Sequence, residues 1–207
     1  MNIKICGLTR EEDVALATSL GAWALGFIFY PKSPRYIAPD VARQIKTGSA
    51  TPATGVFVNQ VDDVLRVATE AALQGVQLHG DETPDDCARI KKAFGGFVIK
   101  AFRPKSPDDI AAIPSYKGFV DFILIDAAGA AYGGTGQRAD WALAADAKKS
   151  GIPLILAGGI NPDNIGTAAS TVAPFALDLS SGIEDSPGIK NHEHMKRLFE
   201  TAKGFSS

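Results

Sequence analysis

Eight short runs rich in β-branched, aromatic and aliphatic residues recur along this chain, most of them followed by a stretch with helical spacing, and that recurrence restricts the fold more than any other feature. The runs cover residues 2–6, 24–29, 54–59, 76–79, 97–102, 120–126, 153–157 and 175–180. Their ends fall about 25 residues apart, the usual length of a βα unit. Helical spacing marks residues 11–20, 39–45, 61–73, 84–93 and 139–149, while the fifth and seventh connections, 107–113 and 163–170, are short and weakly amphipathic. Pro39 and Pro84 suit first-turn positions, Thr9 with Glu12 reads as a capping box, and Gly21 and Gly75 stand where helices should stop.

Strands that alternate with helices form a parallel sheet, because each crossover needs a helix and both sheet faces are then covered. Eight such units predict closure into an α/β (β/α)8 barrel with an all-parallel eight-stranded sheet, one domain spanning residues 1–207. An open doubly wound sheet is the alternative, but no Gly-x-Gly-x-x-Gly follows the first run. The length of 207 residues and 45% hydrophobic content agree with one core.

A net charge of -2 gives no basic excess for a nucleic acid, and no apolar stretch approaches the ~20 residues of a membrane span. A small ligand and no membrane are therefore expected; the oligomeric state stays open between monomer and homodimer. Cys6 and Cys87 are too few for a disulfide framework and lie in no zinc-binding pattern, so a reducing cytoplasm and no metal are expected.

In a βα barrel, the chemistry sits at the C-terminal ends of the strands. Glycines crowd three successive ends: Gly133-Gly134-Thr135-Gly136, Gly158-Gly159 and Ser180-Ser181-Gly182. Without Cβ atoms, their backbone N–H groups can approach an anion, which points to a phosphorylated substrate. The reactive candidates are Cys6 and Asp126. Alternation puts Lys4 one layer below Cys6 on the same inward side, where an ammonium would favour the thiolate and make it a base; a small buried thiol is the structural alternative. Asp126 ends the apolar run Phe122-Ile123-Leu124-Ile125, a setting that favours a protonated carboxyl able to act as an acid; a loop-fixing Asp is its alternative. Arg35 offers a planar fork for a carboxylate, from a loop stiffened by Pro31 and Pro34. His79 and Asp178 belong to the same mouth, where Lys4 and Asp178 could form an internal ion pair. Cys87, His192 and His194 read as structural or solvated.

Taken together, Lys4-Ile5-Cys6-Gly7-Leu8-Thr9, Ser33-Pro34-Arg35-Tyr36, Gly55-Val56-Phe57-Val58-Asn59 and Val76-Gln77-Leu78-His79-Gly80 resemble the first half of phosphoribosylanthranilate isomerase. Leu124-Ile125-Asp126, Gly133-Gly134-Thr135-Gly136, Asp140-Trp141, Leu156-Ala157-Gly158-Gly159 and Asp178-Leu179-Ser180-Ser181-Gly182-Ile183-Glu184 continue the resemblance in the family's order. It covers nearly the whole chain; one departure is Ala139, where the family usually has Phe.

The resemblance implies a cofactor-free Amadori rearrangement of N-(5-phosphoribosyl)anthranilate in tryptophan biosynthesis. It implies Asp126 as acid, Cys6 as base, Arg35 on the anthranilate carboxylate, and phosphate held by Gly134, Gly136, Gly158, Gly159, Ser180, Ser181 and Gly182, with His79 and Asp178 also lining the substrate site. A histidine-pathway isomerase of the same reaction type would carry Asp in place of Cys6. A non-catalytic phosphate-binding barrel would have no need of Cys6 and Asp126.

Overall fold

The computed structural model describes residues 1–126 and 140–205. Eight parallel strands close into a barrel in simple sequence order: β1 (Asn2–Ile5), β2 (Ala24–Ile28), β3 (Ala53–Phe57), β4 (Gly75–Leu78), β5 (Phe97–Phe102), β6 (Phe122–Ile125), β7 (Leu154–Leu156) and β8 (Ala176–Leu179). The seam is the pairing of β1 with β8, in which Asn2 lies opposite Ala176 and Lys4 opposite Asp178. Around the barrel run α1 (Glu11–Ser19), α2 (Pro39–Ile45), α3 (Val64–Glu70), α4 (Pro84–Ala93), α5 (Pro107–Ala111), α6 (Trp141–Ala147), α7 (Ile165–Val172) and α8 (His192–Lys203).

Alternation divides the strand side chains between two cores. Ile3, Ile5, Val76, Val98, Ile123, Ile125 and Leu177 face outward and pack beneath the helices. Ile99, Ala101, Leu124, Ile155, Ala157 and Ala176 fill the barrel itself. The N-terminal end is closed by aromatic rings: Trp23 meets Phe122 and Phe175 edge-on at 5.3 Å in each case.

Helix starts follow local chemistry where the sequence provides it. Thr83 and Asp86 cap α4 reciprocally around Pro84, and Ser106 with Asp109 does the same for α5, which ends after five residues and passes into a 3-10 turn. Two expectations fail. Thr9 does not cap α1; its hydroxyl donates to the Gly188 carbonyl at 2.5 Å, and Arg10 takes the cap position with no capping hydrogen bond from its side chain. Gly75 does not stop α3; it opens β4, where a Cβ would collide with the Phe97 ring, and Ala72 takes the left-handed turn at φ 49.

An unforeseen hairpin, β9 (Glu184–Ser186) with β10 (Ile189–Lys190), separates β8 from α8. Its return strand is anchored by Asp13, which accepts from the Lys190 backbone N–H, Arg10 and His192. This folds the hairpin back over the C-terminal end of β1.

Candidate active site

Cys6 and Asp126 follow directly on β1 and β6, at the C-terminal rim, and are 6% and 8% exposed. Their sequence parity is that of Lys4 and Leu124, the inward positions of those strands. Below Cys6, Lys4 is fully buried and donates to Asp178 across the seam at 2.9 Å, forming the internal ion pair that closure makes possible. Burial works to neutralise Lys4, but the charges of Asp178 and Cys6 outweigh it and hold the ammonium above its ordinary range.

The thiol behaves otherwise than the sequence suggested. Burial dominates and pushes Cys6 above the usual thiol range, with Asp178 adding to the rise, while Lys4 and Lys190 only moderate it. One ammonium beneath a thiol does not offset the loss of water around the thiolate. The neutral thiol is thus the resting form.

Beside Asp126, His79 brings its Nε2 to 3.3 Å from the carboxylate Oδ2. Its Nδ1 lies 2.8 Å from the Gln77 amide nitrogen, while its Nε2, on the side of Asp126, is buried and makes no hydrogen bond among the described residues. The loop bearing His79 is fixed from outside the barrel. Glu82 accepts from the backbone of Asn59 and Gly80, and Lys100 donates to the Gly80 carbonyl at 2.8 Å and to Glu82 at 3.0 Å. Neither Glu82 nor Lys100 was singled out from sequence, although a lysine inside the apolar run Phe97-Val98-Ile99-Lys100-Ala101-Phe102 was the available signal.

Arg35 is buried, with its Nε and Nη2 edge clamped on Glu184 at 2.9 and 2.7 Å. Glu184 also accepts from Lys190 at 2.7 Å. Burial opposes the charge on Glu184, but Arg35 and Lys190 outweigh it and keep the carboxyl below its usual range. The guanidinium is therefore pre-set by a structural carboxylate before any ligand arrives.

Gly158 and Gly159 both take left-handed backbone, at φ 83 and 64, and the Asn164 side chain donates to the Gly159 carbonyl to hold that loop. Ser180 follows β8 and Ser181 starts a 3-10 turn through Ile183. Gly182 packs so tightly on the Ile160 carbonyl that no Cβ fits. The Ser180 hydroxyl is buried without a hydrogen-bond partner among the described residues, as a group awaiting a ligand would be. Gly134 and Gly136 lie outside the described residues, as does the expected start of the sixth helix at Ala139.

This rim carries a thiol, a carboxyl, a fixed guanidinium and a glycine pair of left-handed backbone on one face of a closed barrel. The model of the family described as N-(5'-phosphoribosyl)anthranilate isomerase matches residues 3–201. This chain belongs to that family. Within it, the isomerase of Geobacter sp. strain M21 is 45% identical over 99% of this chain and 98% of its own. Monomers generated from the dimeric Thermotoga maritima enzyme superpose with a TM-score of 0.88 at 38% identity, covering 99% of each chain. A phosphoribosyl anthranilate isomerase in complex with reduced 1-(o-carboxyphenylamino)-1-deoxyribulose 5-phosphate does so at 0.87 and 38%, again over 99% of each chain. As a member of the family, the chain is an isomerase of tryptophan biosynthesis, converting N-(5'-phosphoribosyl)anthranilate to its aminoketose. Among the described residues, no helix is long and apolar enough to cross a membrane.

Proposed function

We propose that Asp126 and Cys6 divide the acid and base work of this isomerisation. Asp126 donates a proton to the furanose ring oxygen, which opens the sugar to a Schiff base. The Cys6 thiolate then removes the C2 proton, and the resulting enolamine tautomerises to the ketone as C1 gains a proton and the C2 hydroxyl loses one. The aldose is oxidised at C2 as it is reduced at C1 within one molecule, so the reaction requires no external electron acceptor.

Arg35 receives the anthranilate carboxylate on the guanidinium edge that Glu184 leaves open, as a planar fork suits a planar anion. The phosphate lies among Gly134, Gly136, Gly158, Gly159, Ser180, Ser181 and Gly182, with the Ser180 hydroxyl as one donor. His79 borders the substrate on the acid side and Asp178 on the base side. The barrel acts as a monomer or homodimer in the cytoplasm.

The observation carrying this reading is that the two proton-transfer groups end β1 and β6 at the same rim, both nearly dry, one above an ammonium and one beside an imidazole. The test is turnover of freshly prepared phosphoribosylanthranilate, followed by loss of its fluorescence. Cys6→Ala and Asp126→Asn are each expected to lose at least about a hundredfold in kcat, the lower range for a positioned acid or base, with unfolding transitions near that of the parent. Full turnover by either variant would falsify the division of roles.

A further inference from the structure

Lys190 lies 184 positions along the chain from Cys6, in the hairpin that sequence reasoning did not foresee, and its side chain is fully buried. An ammonium has three protons to donate. Here the three go to the Cys6 carbonyl at 2.6 Å, Glu184 Oε1 at 2.7 Å and, more weakly, the Ser180 carbonyl at 3.4 Å. Burial pulls this ammonium toward its neutral form, against the attraction of Glu184 and Cys6. Such a group is held at a cost, and its acceptors are the backbone carbonyl of the base, that of the first residue of the phosphate loop and the carboxylate that clamps Arg35.

We propose that Lys190 is a positioning residue for catalysis: one ammonium fixes the backbone that aims the Cys6 thiol and, through Glu184, the guanidinium that receives the substrate carboxylate. The inference rests on the reading of Cys6 as the base. Two further observations support it. The Lys190 backbone N–H is itself tied to the buried Asp13, so the ammonium has a fixed origin. Among the described residues, the charged groups acting on the thiol are Lys4 from β1, Asp178 from β8 and Lys190 from β10, and Lys190 is in turn paired with Glu184, which holds Arg35. In this set Lys190 is the cation that touches Cys6 from outside the barrel, through its backbone.

Two effects separate this from a purely structural role. Lys190→Met removes both the anchor on the Cys6 carbonyl and part of the positive field on the thiolate. Its kcat should fall about tenfold or more, and the thiolate absorbance of Cys6, read as the ultraviolet difference from Cys6→Ala, should titrate about one pH unit higher. Glu184→Gln keeps Lys190 in place but loosens Arg35, so KM should rise about tenfold with a smaller change in kcat. Should Lys190→Met fail to fold with Glu184 left on Arg35 alone, Lys190→Met/Glu184→Gln removes both charges together and is read in the same way. Parental kcat and parental thiolate titration in the folded Lys190 variant overturn the inference while leaving Cys6 as the base. An active Cys6→Ala enzyme overturns the reading beneath it instead.

Discussion

Lys4 and Asp178 meet at 2.9 Å across the seam where β1 closes on β8, inside the barrel and one layer beneath Cys6. The pair both closes the ring and sets the charge under Cys6. These two duties have opposite signs at Asp178, because its carboxylate neutralises Lys4 yet disfavours the thiolate. Asp178→Asn should therefore destabilise the fold by about 3 kcal/mol, the lower end for breaking a buried ion pair. The same change should move the Cys6 thiolate titration downward, opposite to the shift expected for Lys190→Met. Denaturant unfolding and ultraviolet titration of one preparation check both; a more stable variant or an upward titration would contradict the assignment of charges.

The pH dependence of turnover follows from the raised thiol. A carboxylic acid ordinarily loses its proton well before a thiol, so the form that the proposed roles require, with Asp126 protonated and Cys6 ionised, is in the less common order. The population of such a form is level between the two pKa values and declines on either side. Since burial places Cys6 above its ordinary value of 9.0, kcat/KM should be bell-shaped, with its alkaline limb above about pH 9. A limb centred near neutrality would show that another group titrates.

Gly7 tests how closely the rim is packed. It has φ +73, and a Cβ there would sit 2.6 Å from Arg35 Cδ and 3.0 Å from Ser180 Oγ. Gly7→Ala should cost about 1–2 kcal/mol in backbone strain and also raise KM, because Arg35 must move. Gly21 has φ +85 with nothing within 4 Å of a new Cβ, so Gly21→Ala should show the strain without the kinetic change. Equal KM values for the two variants would mean that Arg35 tolerates displacement.

Cys87, away from the rim on α4, controls a different pH response. It is buried and pushed up to about 12, chiefly by desolvation, so the folded state retains a proton that the unfolded chain releases near pH 9. Its contribution is fully present below about pH 9 and is lost as the pH rises toward about 12. The slope is at most about 1.4 kcal/mol per pH unit for one proton. Cys87→Ala should flatten that alkaline decline, measured by unfolding between these limits, whatever its offset at neutral pH. An unchanged slope would place the proton release elsewhere.

Much of the barrel is legible from local pattern. Segments 39–45, 84–93 and 97–102 coincide with α2, α4 and β5, because proline starts, capping residues and apolar runs act over a few residues. Boundaries drift where local and tertiary demands compete. Thr9 has the chemistry of a cap, but α1 takes Arg10 as its cap residue and the Thr9 hydroxyl donates to the Gly188 carbonyl, and Gly75 serves strand packing against Phe97 rather than helix termination.

The sequence by itself determined the eightfold βα period, the inward face of each strand and the kinds of side chain offered at the strand ends, since alternation and helical spacing are short-range properties. Only the tertiary structure decided which charges meet. Lys4 finds Asp178 across 174 positions, Arg35 finds Glu184 across 149, and Lys190 reaches the Cys6 carbonyl across 184. Contacts at that separation depend on ring closure and on where the last hairpin falls. The ionisation of Cys6 had to wait for them, because it is set by how much water closure removes and which ions remain.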